Sequence, residues 1–515
     1  MKALLAGGLT ALICPIVWLS FQDSSFAQNL NPVAEFPSSQ TAVDQTVLGQ
    51  TVLDQTVLDQ TVLGQSGEFE SVSRRVIPVS ASVPLAQQVA PIKAVSYLRL
   101  FELLDLEIAV IDRAAAAIDQ EWHPGTAVML VEILGFARNQ HSYRTTMGLL
   151  KRKTGQNLGE DLADWYDWIW KQPYVPHPEY AAFKAKMYSR IDKRFAAYFR
   201  NAKSPKIRLD EIRWGGVLRD GIPPLKNPKM LPASKATYLA DSDVVFGVNL
   251  NGDARCYPKR ILAWHEMFKD TIGSIPLCGV YCTLCGSVIM YEADIDDTHY
   301  ELGTSGFLYR SNKLMYDHAT ESFWSTLTGE PVVGPLVGKG IELKQRHVVT
   351  TTWGEWKRKN PKTTVLSLDT GHRRDYGEGV AYRDYFATDA LMFSVPKLDR
   401  RLKNKDEVLA LRDGHQQLAI SARYLNGHPV YHDQLANQNF VVLTDQSGAN
   451  RVYESNGIRF QSWDQQSQAV DRQGRRWDVS AEALRAGRDV LKRLPAHRAF
   501  WFAWSSQFPK TRLVK

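Results

Sequence analysis

The stretch Trp353-Gly-Glu-Trp-Lys-Arg-Lys-Asn-Pro-Lys-Thr-Thr364 returns near the C-terminus as Trp501-Phe-Ala-Trp-Ser-Ser-Gln-Phe-Pro-Lys-Thr-Arg512. Both stretches follow the pattern W-x-x-W-x-x-x-x-P-K-T, with the two tryptophans and the Pro-Lys-Thr at the same spacing. A match of this kind indicates an internal repeat of one structural unit. The repeat decides the fold class, because two copies of a strand-rich unit predict a pseudo-symmetric α+β body.

The repeat covers most of the C-terminal half of the chain, from Val244 to Ser367 in the first copy and from about Val408 to Val514 in the second. Each copy opens with a predicted hairpin, whose turn is Asn251-Gly252 in the first copy and Asp413-Gly414 in the second. We expect the two tryptophan-containing stretches to form equivalent helices. The other corresponding segments are Pro276–Glu292 with Asn439–Glu454, and Asp317, Trp324 and Gly329 with Asp471, Gly474 and Trp477.

A helical pattern precedes the repeat, between residues 91 and 201. Tyr97, Phe101, Leu104 and Ile108 recur at three- and four-residue steps, which is typical of an amphipathic helix. Breaks such as His123-Pro124-Gly125 divide the region into about four or five predicted helices. The predicted organisation is therefore a small all-α, helical-repeat-like domain (91–201), a first β-rich repeat (202–400) and a second one (401–515). The helical domain carries no catalytic pattern and is a candidate for contact with a protein partner.

The N-terminus has the composition of a secretory signal peptide. Lys2 supplies a short positive region before an apolar run, and Ser25-Phe26-Ala27 fits a small-x-small cleavage site. These features predict a signal peptide over residues 1–27, cleavage before Gln28, and a periplasmic or secreted protein. An uncleaved segment that anchors the protein in the membrane is the alternative. Residues 28–90 include the pentapeptide repeat T-x-x-x-Q between Thr41 and Gln65 and predict a disordered low-complexity linker.

Charge and cysteine content narrow the class of function. The net charge of +7 is spread over 515 residues without a block of Lys and Arg, which argues against a nucleic-acid partner. No glycine-rich nucleotide or flavin motif is present, so the partner is an unknown small molecule or protein. Four cysteines follow the predicted cleavage site, and they lie within 30 consecutive residues. This confinement indicates a local site rather than a disulfide framework.

The most specific chemical signal is Val280-Tyr-Cys-Thr-Leu-Cys-Gly-Ser-Val-Ile-Met-Tyr-Glu292, which sets Cys282 and Cys285 in a C-x-x-C turn between two strand-like runs. Such a turn can direct two thiolates at one metal ion, and His265, in a short predicted helix, is the first candidate for a third ligand. Sulfur together with imidazole selects zinc or copper. The leading hypothesis is therefore a zinc or copper site made by Cys282, Cys285 and His265. Weaker candidates for a further ligand are Cys256, Cys278, Met315 and Asp317.

Two other interpretations of the C-x-x-C turn stay open. The first is an exported thiol–disulfide oxidoreductase. Redox C-x-x-C motifs usually open a helix whose dipole lowers the thiol pKa, whereas the residues after Gly286 predict a strand. The second is one or two structural disulfides, which an oxidising compartment permits.

A polar cluster outside the turn supports a third function class, a periplasmic hydrolase or ligand-binding module. Carboxylates beside aromatic residues can act as an acid–base pair, and the residues in question are Asp317 and Glu321, with Ser325 as a further candidate. The same residues could equally serve as turns and strand ends tied by hydrogen bonds. No spacing singles out a nucleophile with its base, so the sequence does not decide whether the protein is an enzyme. The whole cluster is Ser305, Arg310, Asn312, Asp317, Glu321, Trp324 and Ser325.

Five motifs in the C-terminal half carry a family resemblance. They are Leu262-Ala-Trp-His-Glu266, Tyr281-Cys-Thr-Leu-Cys-Gly286, Leu314-Met-Tyr-Asp317, Glu321-Ser-Phe-Trp-Ser-Thr-Leu-Thr-Gly329, and Asp369-Thr-Gly371 with Arg374-Asp-Tyr376. From about Ile207 to Lys515 the chain resembles the exported bacterial family called domain of unknown function 3179. The resemblance implies export and a helical region before the repeat, and it implies no particular reaction. Thr283 stands where the family usually has proline in a C-P-x-C turn, which costs turn rigidity but no ligand.

Overall fold

Seven helices come first in the part of the chain that the structure, a computed structural model, describes, which is residues 94–202 and 204–515. The predicted signal peptide and the predicted linker lie outside the described residues. The helices are α1 Tyr97–Glu102, α2 Ile108–Gln120, α3 Thr126–Leu134, α4 Gln140–Thr154, α5 Leu162–Lys171, α6 Tyr180–Tyr188 and α7 Phe195–Arg200.

Two aspartates explain why these helices are shorter and more numerous than the four or five expected. The Asp105 carboxylate accepts hydrogen bonds from the backbone N–H groups of Leu106 at 2.7 Å and Glu107 at 3.0 Å. Asp192 accepts one from the backbone N–H of Arg194 at 2.9 Å. Such local bonds offer the backbone an alternative to the helical ladder. They therefore separate α1 from α2, and α6 from α7, within stripes that look continuous in the sequence.

The helical part packs against the strand-rich body through aromatic side chains. Tyr198 of α7 lies with its ring centroid 4.5 Å from that of Phe323, and Phe199 lies 5.5 Å from Phe307. All four rings are buried in one core that joins helices and strands. The helical part and the body therefore share a continuous apolar core.

The next elements lead into the first copy of the repeat and build it. Its helices are α8 Lys259–His265, α9 Trp353–Lys359 and α10 Arg383–Ala387. Its strands are β1 Ile212–Trp214, β2 Leu225–Lys226, β3 Met230–Pro232, β4 Val244–Leu250, β5 Asp253–Pro258, β6 Met267–Ile272, β7 Ile275–Cys282, β8 Ser287–Glu292, β9 Asp294–Ile295, β10 Thr298–His299, β11 Leu302–Tyr309, β12 Asn312–Asp317, β13 Phe323–Ser325, β14 Pro331–Val333, β15 Gln345–Arg346, β16 Val349–Thr352 and β17 Thr364–Leu366.

The second copy occupies the remainder of the chain. Its helices are α11 Ala422–Gly427 and α12 Trp501–Gln507. Its strands are β18 Glu407–Asp413, β19 Gln416–Ser421, β20 Val430–Leu435, β21 Gln438–Thr444, β22 Asn450–Glu454, β23 Phe460–Trp463, β24 Gln468–Asp471, β25 Arg476–Val479, β26 Ala483–Ala486, β27 Asp489–Lys492, β28 His497–Phe500 and β29 Arg512–Val514.

Sheet topology confirms the predicted pair of pseudo-repeats. In the first copy the strand order is β16-β4-β5-β17, with β3 added at the edge, and in the second it is β28-β18-β19-β29. The senses agree as well, since the first two pairings in each sheet are antiparallel and the third is parallel. The strands β6-β7-β8 of the first copy likewise correspond to β20-β21-β22 of the second. The predicted fold class, an α+β chain with a helical part before two related β-rich halves, is therefore correct.

The two copies also repeat the side-chain bond that closes each tryptophan helix. The indole N–H of Trp356 donates to Thr363 Oγ1 at 2.8 Å, and that of Trp504 donates to Thr511 Oγ1 at 2.9 Å. These residues are the second tryptophan and the threonine of the W-x-x-W-x-x-x-x-P-K-T pattern. The pattern therefore encodes a buried tryptophan whose indole N–H is satisfied by the threonine directly before the next strand.

The two copies share a core. Strands β7 and β8 place alternate side chains against β18, β19 and α12, as the two-residue period of a strand requires. None of the helices in the described part of the chain has the length and apolar character that a bilayer crossing requires. The residues of the shared core include Met267, Cys278, Val280, Ile289, Met315, Trp324, Val408, Ala410, Trp501 and Trp504.

Candidate functional site

The C-x-x-C turn joins β7 to β8 and is held by the second copy. Within the turn the backbone N–H of Cys285 donates to the carbonyl of Cys282 at 3.1 Å. From outside it, the N–H of Phe500 donates to the carbonyl of Cys285 at 2.7 Å. Gly286 follows with φ +58°, and a Cβ at this position would lie 2.8 Å from the Phe500 ring. The turn therefore needs glycine both for its backbone conformation and for its close approach to the other copy.

The two sulfurs of the turn lie next to each other and are buried. Cys282 Sγ is 2.8 Å from Cys285 Sγ, and both are free thiols. Cys285 is the more enclosed of the two, because its sulfur donates to Ser311 O at 3.3 Å and accepts from Asn312 Nδ2 at 3.1 Å. Burial raises the pKa of the Cys285 thiol well above its usual range, and the hydrogen bond from Cys282 acts in the same direction.

An ion pair is buried beside the turn. Lys313 Nζ lies 2.7 Å from Glu266 Oε2, with side chains only 7% and 10% exposed. The other carboxylate oxygen, Oε1, faces the hydroxyl groups of Thr283, the residue after Cys282, and of Tyr382, each at 3.4 Å. The sequence did not predict this pair, although Glu266 directly follows His265 in one of the family motifs.

Glu266 is held in an unusual backbone conformation. Its φ is +55°, in the left-handed region that glutamate rarely adopts, and it ends helix α8. Its N–H donates to Leu262 O and its carbonyl accepts from Tyr281 N, both at 2.7 Å. Backbone strain of this kind persists only where the surrounding structure over-determines it, and it is common at functional sites.

The segment 382–395, which begins with α10 and continues without regular structure, covers the thiol pair. Tyr385 OH donates to the carbonyl of Leu284 inside the turn at 2.7 Å, and Ser311 Oγ donates to Phe393 O at 3.0 Å. Apolar side chains of this segment and of α12 surround the two sulfurs. The buried residues of this wall are Leu284, Leu308, Tyr385, Val395, Phe500, Phe502 and Ala503.

His265, the predicted third metal ligand, directs both ring nitrogens at other groups. Nδ1 lies 2.9 Å from Pro223 O and must donate to it, so in the neutral ring Nε2 accepts from Tyr376 OH at 2.6 Å. Thr370 Oγ1 lies 2.7 Å from the same hydroxyl. Burial lowers the pKa of His265 to about 4, which keeps the ring neutral. His265 therefore belongs to a hydrogen-bonded chain with Tyr376 and Thr370.

The weaker ligand candidates are dispersed through the core. Cys278 and Met315 lie in the core shared by the two copies, and Cys256 packs with Trp353 and Trp356 in a separate cluster. Cys278 precedes Cys282 by four residues of extended strand, or about 13 Å. Among residues 94–202 and 204–515, no three His, Cys, Asp or Glu side chains gather closely enough to hold a metal ion. The predicted set of two sulfurs and an imidazole is thus not assembled in this structure.

The candidate hydrolase residues are engaged in local bonds. Both oxygens of the buried Asp317 accept hydrogen bonds, from the N–H and hydroxyl of Thr320 at 2.6 and 2.7 Å and from the Trp324 indole at 3.0 Å. Glu321 pairs with Arg219 at 2.5 Å. Ser325 Oγ accepts from Thr328 N at 3.3 Å. These contacts tie turns and strand ends together, and none of them joins Asp317 to Ser325.

The corresponding turn of the second copy has a different chemistry at the same place in the fold. Between β21 and β22, Asp445 begins the turn and pairs with Arg451 at 2.7 Å and Lys359 at 3.2 Å. Ser447 Oγ lies 2.9 Å from Thr351 Oγ1 of the first copy. In each copy, therefore, this turn contacts the other copy. Only the turn of the first copy contains cysteines.

Comparison with known proteins places the chain in a family without assigning a reaction. The model of the family described as "Protein of unknown function (DUF3179)" matches residues 219–511, which is more than half of the chain. No curated protein and no solved structure matches the chain significantly. The matched region begins before β2 and ends within the Pro-Lys-Thr of the second tryptophan pattern, so it holds both copies of the repeat. The chain belongs to the DUF3179 family.

Proposed function

We propose that the C-x-x-C turn is a dithiol–disulfide site and that the protein is an exported thiol–disulfide oxidoreductase. The observation that supports this most is the 2.8 Å separation of the two thiol sulfurs. A disulfide requires about 2.05 Å, so a small displacement within the turn would close the bond. Two sulfurs bound to one tetrahedral zinc ion would instead lie roughly 3.5–4 Å apart.

The burial of the two thiols also bears on how a substrate reaches them and on which thiol reacts first. Cys282 and Cys285 have relative exposures of 2% and 0%, so a substrate must reach them where residues 382–395 cover the turn. Cys282 ends a strand, whereas Cys285 is fixed by Asn312 and Ser311. This asymmetry makes Cys282 the first thiol to react with a substrate disulfide and Cys285 the thiol that resolves the mixed disulfide.

Thiol titration of the full-length protein tests the proposal. The protein is equilibrated with reduced and oxidised glutathione at several ratios, alkylated, and analysed by peptide mass spectrometry for the Cys282–Cys285 disulfide. The Cys282→Ser and Cys285→Ser variants are compared with Cys256→Ala and Cys278→Ala, which remove buried thiols away from the turn. A reversible disulfide that forms in wild type and in the two control variants supports the oxidoreductase.

Two other outcomes contradict the proposal. Zinc or copper bound stoichiometrically to wild type and lost from the Cys282→Ser variant would favour the metal hypothesis over the redox one. A disulfide that glutathione does not reduce, with only a loss of stability in the variants, would assign the turn a structural role. Elemental analysis of the same samples distinguishes the first of these outcomes.

A further inference from the structure

The thiol pair has one buried carboxylate at its edge in the described structure, and that carboxylate has a fixed cation. Glu266 contacts Lys313 at 2.7 Å and reaches the turn itself through the hydroxyl of Thr283 at 3.4 Å. Thr283 stands between the two cysteines. The ion pair therefore borders the C-x-x-C turn from the side of α8 and β12.

We propose that Glu266 is the proton acceptor for the Cys285 thiol and that Lys313 is the residue that positions it; this inference rests on the proposed redox function. The ionisable groups near Glu266 are Lys313 on β12, Tyr382 before α10, Tyr281 on β7 and the Cys285 thiol of the turn. Lys313 is the only cation in this set. This group of side chains therefore has one positive charge, on Lys313. It is neutral overall when one of the acidic groups, such as the Glu266 carboxylate, is ionised.

Charge balance explains why a proton would move between these two groups. A thiolate formed while Glu266 is ionised would place two negative charges in a buried volume with one positive charge, which is costly in a medium of low polarity. Burial is the main reason that the pKa of Cys285 lies above its usual range, and the negative charge of Glu266 acts in the same direction. If the thiol proton passes to Glu266, the number of charges stays the same and only their location changes.

The chemical step can be written in full with a disulfide as the oxidising substrate. The Cys282 thiol loses its proton to solvent and its sulfur attacks the substrate disulfide, which forms a mixed disulfide and releases one substrate thiolate that takes up a proton from solvent. The Cys285 thiol then gives its proton to Glu266, and its sulfur attacks Cys282 Sγ. This forms the Cys282–Cys285 bond and releases the second substrate thiolate, which recovers a proton from Glu266 or water. Two electrons pass from the protein dithiol to the substrate disulfide.

The backbone of Glu266 supports a positioned group rather than a chance neighbour. Its left-handed conformation directs the carboxylate towards the turn while the adjacent His265 faces Pro223 and Tyr376. Glu266 is the residue that ends α8, and its φ of +55° turns the chain out of the helix at this point. The end of the helix therefore sets where the acid lies relative to the turn.

The test follows the second step in the full-length protein. Reduced protein is mixed with glutathione disulfide, quenched with acid at intervals, and analysed for the mixed disulfide and the closed Cys282–Cys285 bond. In Glu266→Gln we expect closure at neutral pH to slow at least about tenfold and to recover with added buffer base, because the proton must then leave to a solvent base. Lys313→Met should slow closure as well, and Glu266→Asp should restore part of the rate.

A buried pair elsewhere provides the matched control. Glu132 and Lys184 form an ion pair at 2.9 Å in the helical part, with side chains 2% and 0% exposed. Glu132→Gln should lower stability without changing the closure rate or making it depend on buffer base. Closure in Glu266→Gln at the wild-type rate, without buffer dependence, would overturn the assignment. If Glu266→Gln does not fold, the closure rates of Lys313→Met and Glu266→Asp test the assignment instead. Closure at the wild-type rate in both variants would then overturn it. Failure of wild type to form the disulfide at all would instead remove the proposed function.

Discussion

The indole N–H of Trp324 donates a hydrogen bond to Asp317 Oδ2 at 3.0 Å, and the second copy repeats this bond between Trp477 and Asp471 at 3.0 Å. In both copies the aspartate ends a strand, and its other oxygen accepts backbone N–H groups of the following turn. A feature that occurs in both copies belongs to the shared fold. The thiol pair, in contrast, occurs in one copy only, which makes it the better candidate for function.

Asp317→Asn and Asp471→Asn should therefore destabilise the protein to similar extents. Each change replaces a carboxylate oxygen with an amide donor that faces other donors, at an expected cost of about 1–3 kcal/mol. Urea unfolding followed by circular dichroism measures the loss. Neither change should alter the rate of disulfide closure. A slower disulfide closure in Asp317→Asn alone, at unchanged stability, would give Asp317 a functional role and restore the hydrolase or ligand-binding hypothesis.

The sequence contained enough information for the repeat but not for the surroundings of the thiols. The W-x-x-W-x-x-x-x-P-K-T pattern marks a helix and the threonine that satisfies its indole, so the symmetry of the body could be predicted from local spacing. The pairing of Glu266 with Lys313 joins residues 47 positions apart on different elements. The hydrophobic periodicity of the sequence does not predict such a contact, because the contact depends on how two sheets pack.

His265 shows the same limit for the metal hypothesis. Its position in the short helix before the cysteine strand made it the first candidate for a third ligand, but a helix end allows its side chain several directions. The direction is decided by Pro223 O and Tyr376 OH, which come from distant parts of the chain. Residues 382–395 contain no strong periodic signal, so the segment that covers the thiols could not be assigned from the sequence either.

Gly286→Ala should affect the site more than the same change in an open turn. A methyl group at Gly286 meets both a φ of +58° and the Phe500 ring at 2.8 Å, whereas Gly414 has a φ of +53° with nothing within 4 Å. Gly414→Ala thus measures the conformational cost alone, about 1–2 kcal/mol. Gly286→Ala should cost at least about 1 kcal/mol more, from the forced displacement of Phe500. Equal losses in thermal or urea unfolding would mean that the turn is free to move from the second copy.

Acidification should destabilise the protein through buried histidines. Burial lowers the pKa of His497 from 6.5 to about 3, so the unfolded chain binds a proton before the folded protein does. The stability that the neutral ring contributes is therefore complete above about pH 6.5 and is lost progressively as the pH falls towards 3. His497→Gln should lower stability at neutral pH but make its decline between about pH 6.5 and pH 4 shallower. The exposed His415→Gln is the control, and an unchanged decline in His497→Gln would contradict the assignment.

Tyr385→Phe should expose the thiols without altering them. The Tyr385 hydroxyl donates to Leu284 O at 2.7 Å and is the direct hydrogen bond between the covering segment and the C-x-x-C turn. Its removal leaves a buried carbonyl without this donor, at a local cost of about 1–3 kcal/mol, and should increase transient opening of residues 382–395. We expect Cys282 and Cys285 in the reduced protein to react several-fold faster with iodoacetamide, whereas Cys256 and Cys278, in other core clusters, provide internal controls at their wild-type rates. Acceleration at all four cysteines would indicate general destabilisation, and no acceleration at any would mean that access to the thiols does not depend on this segment.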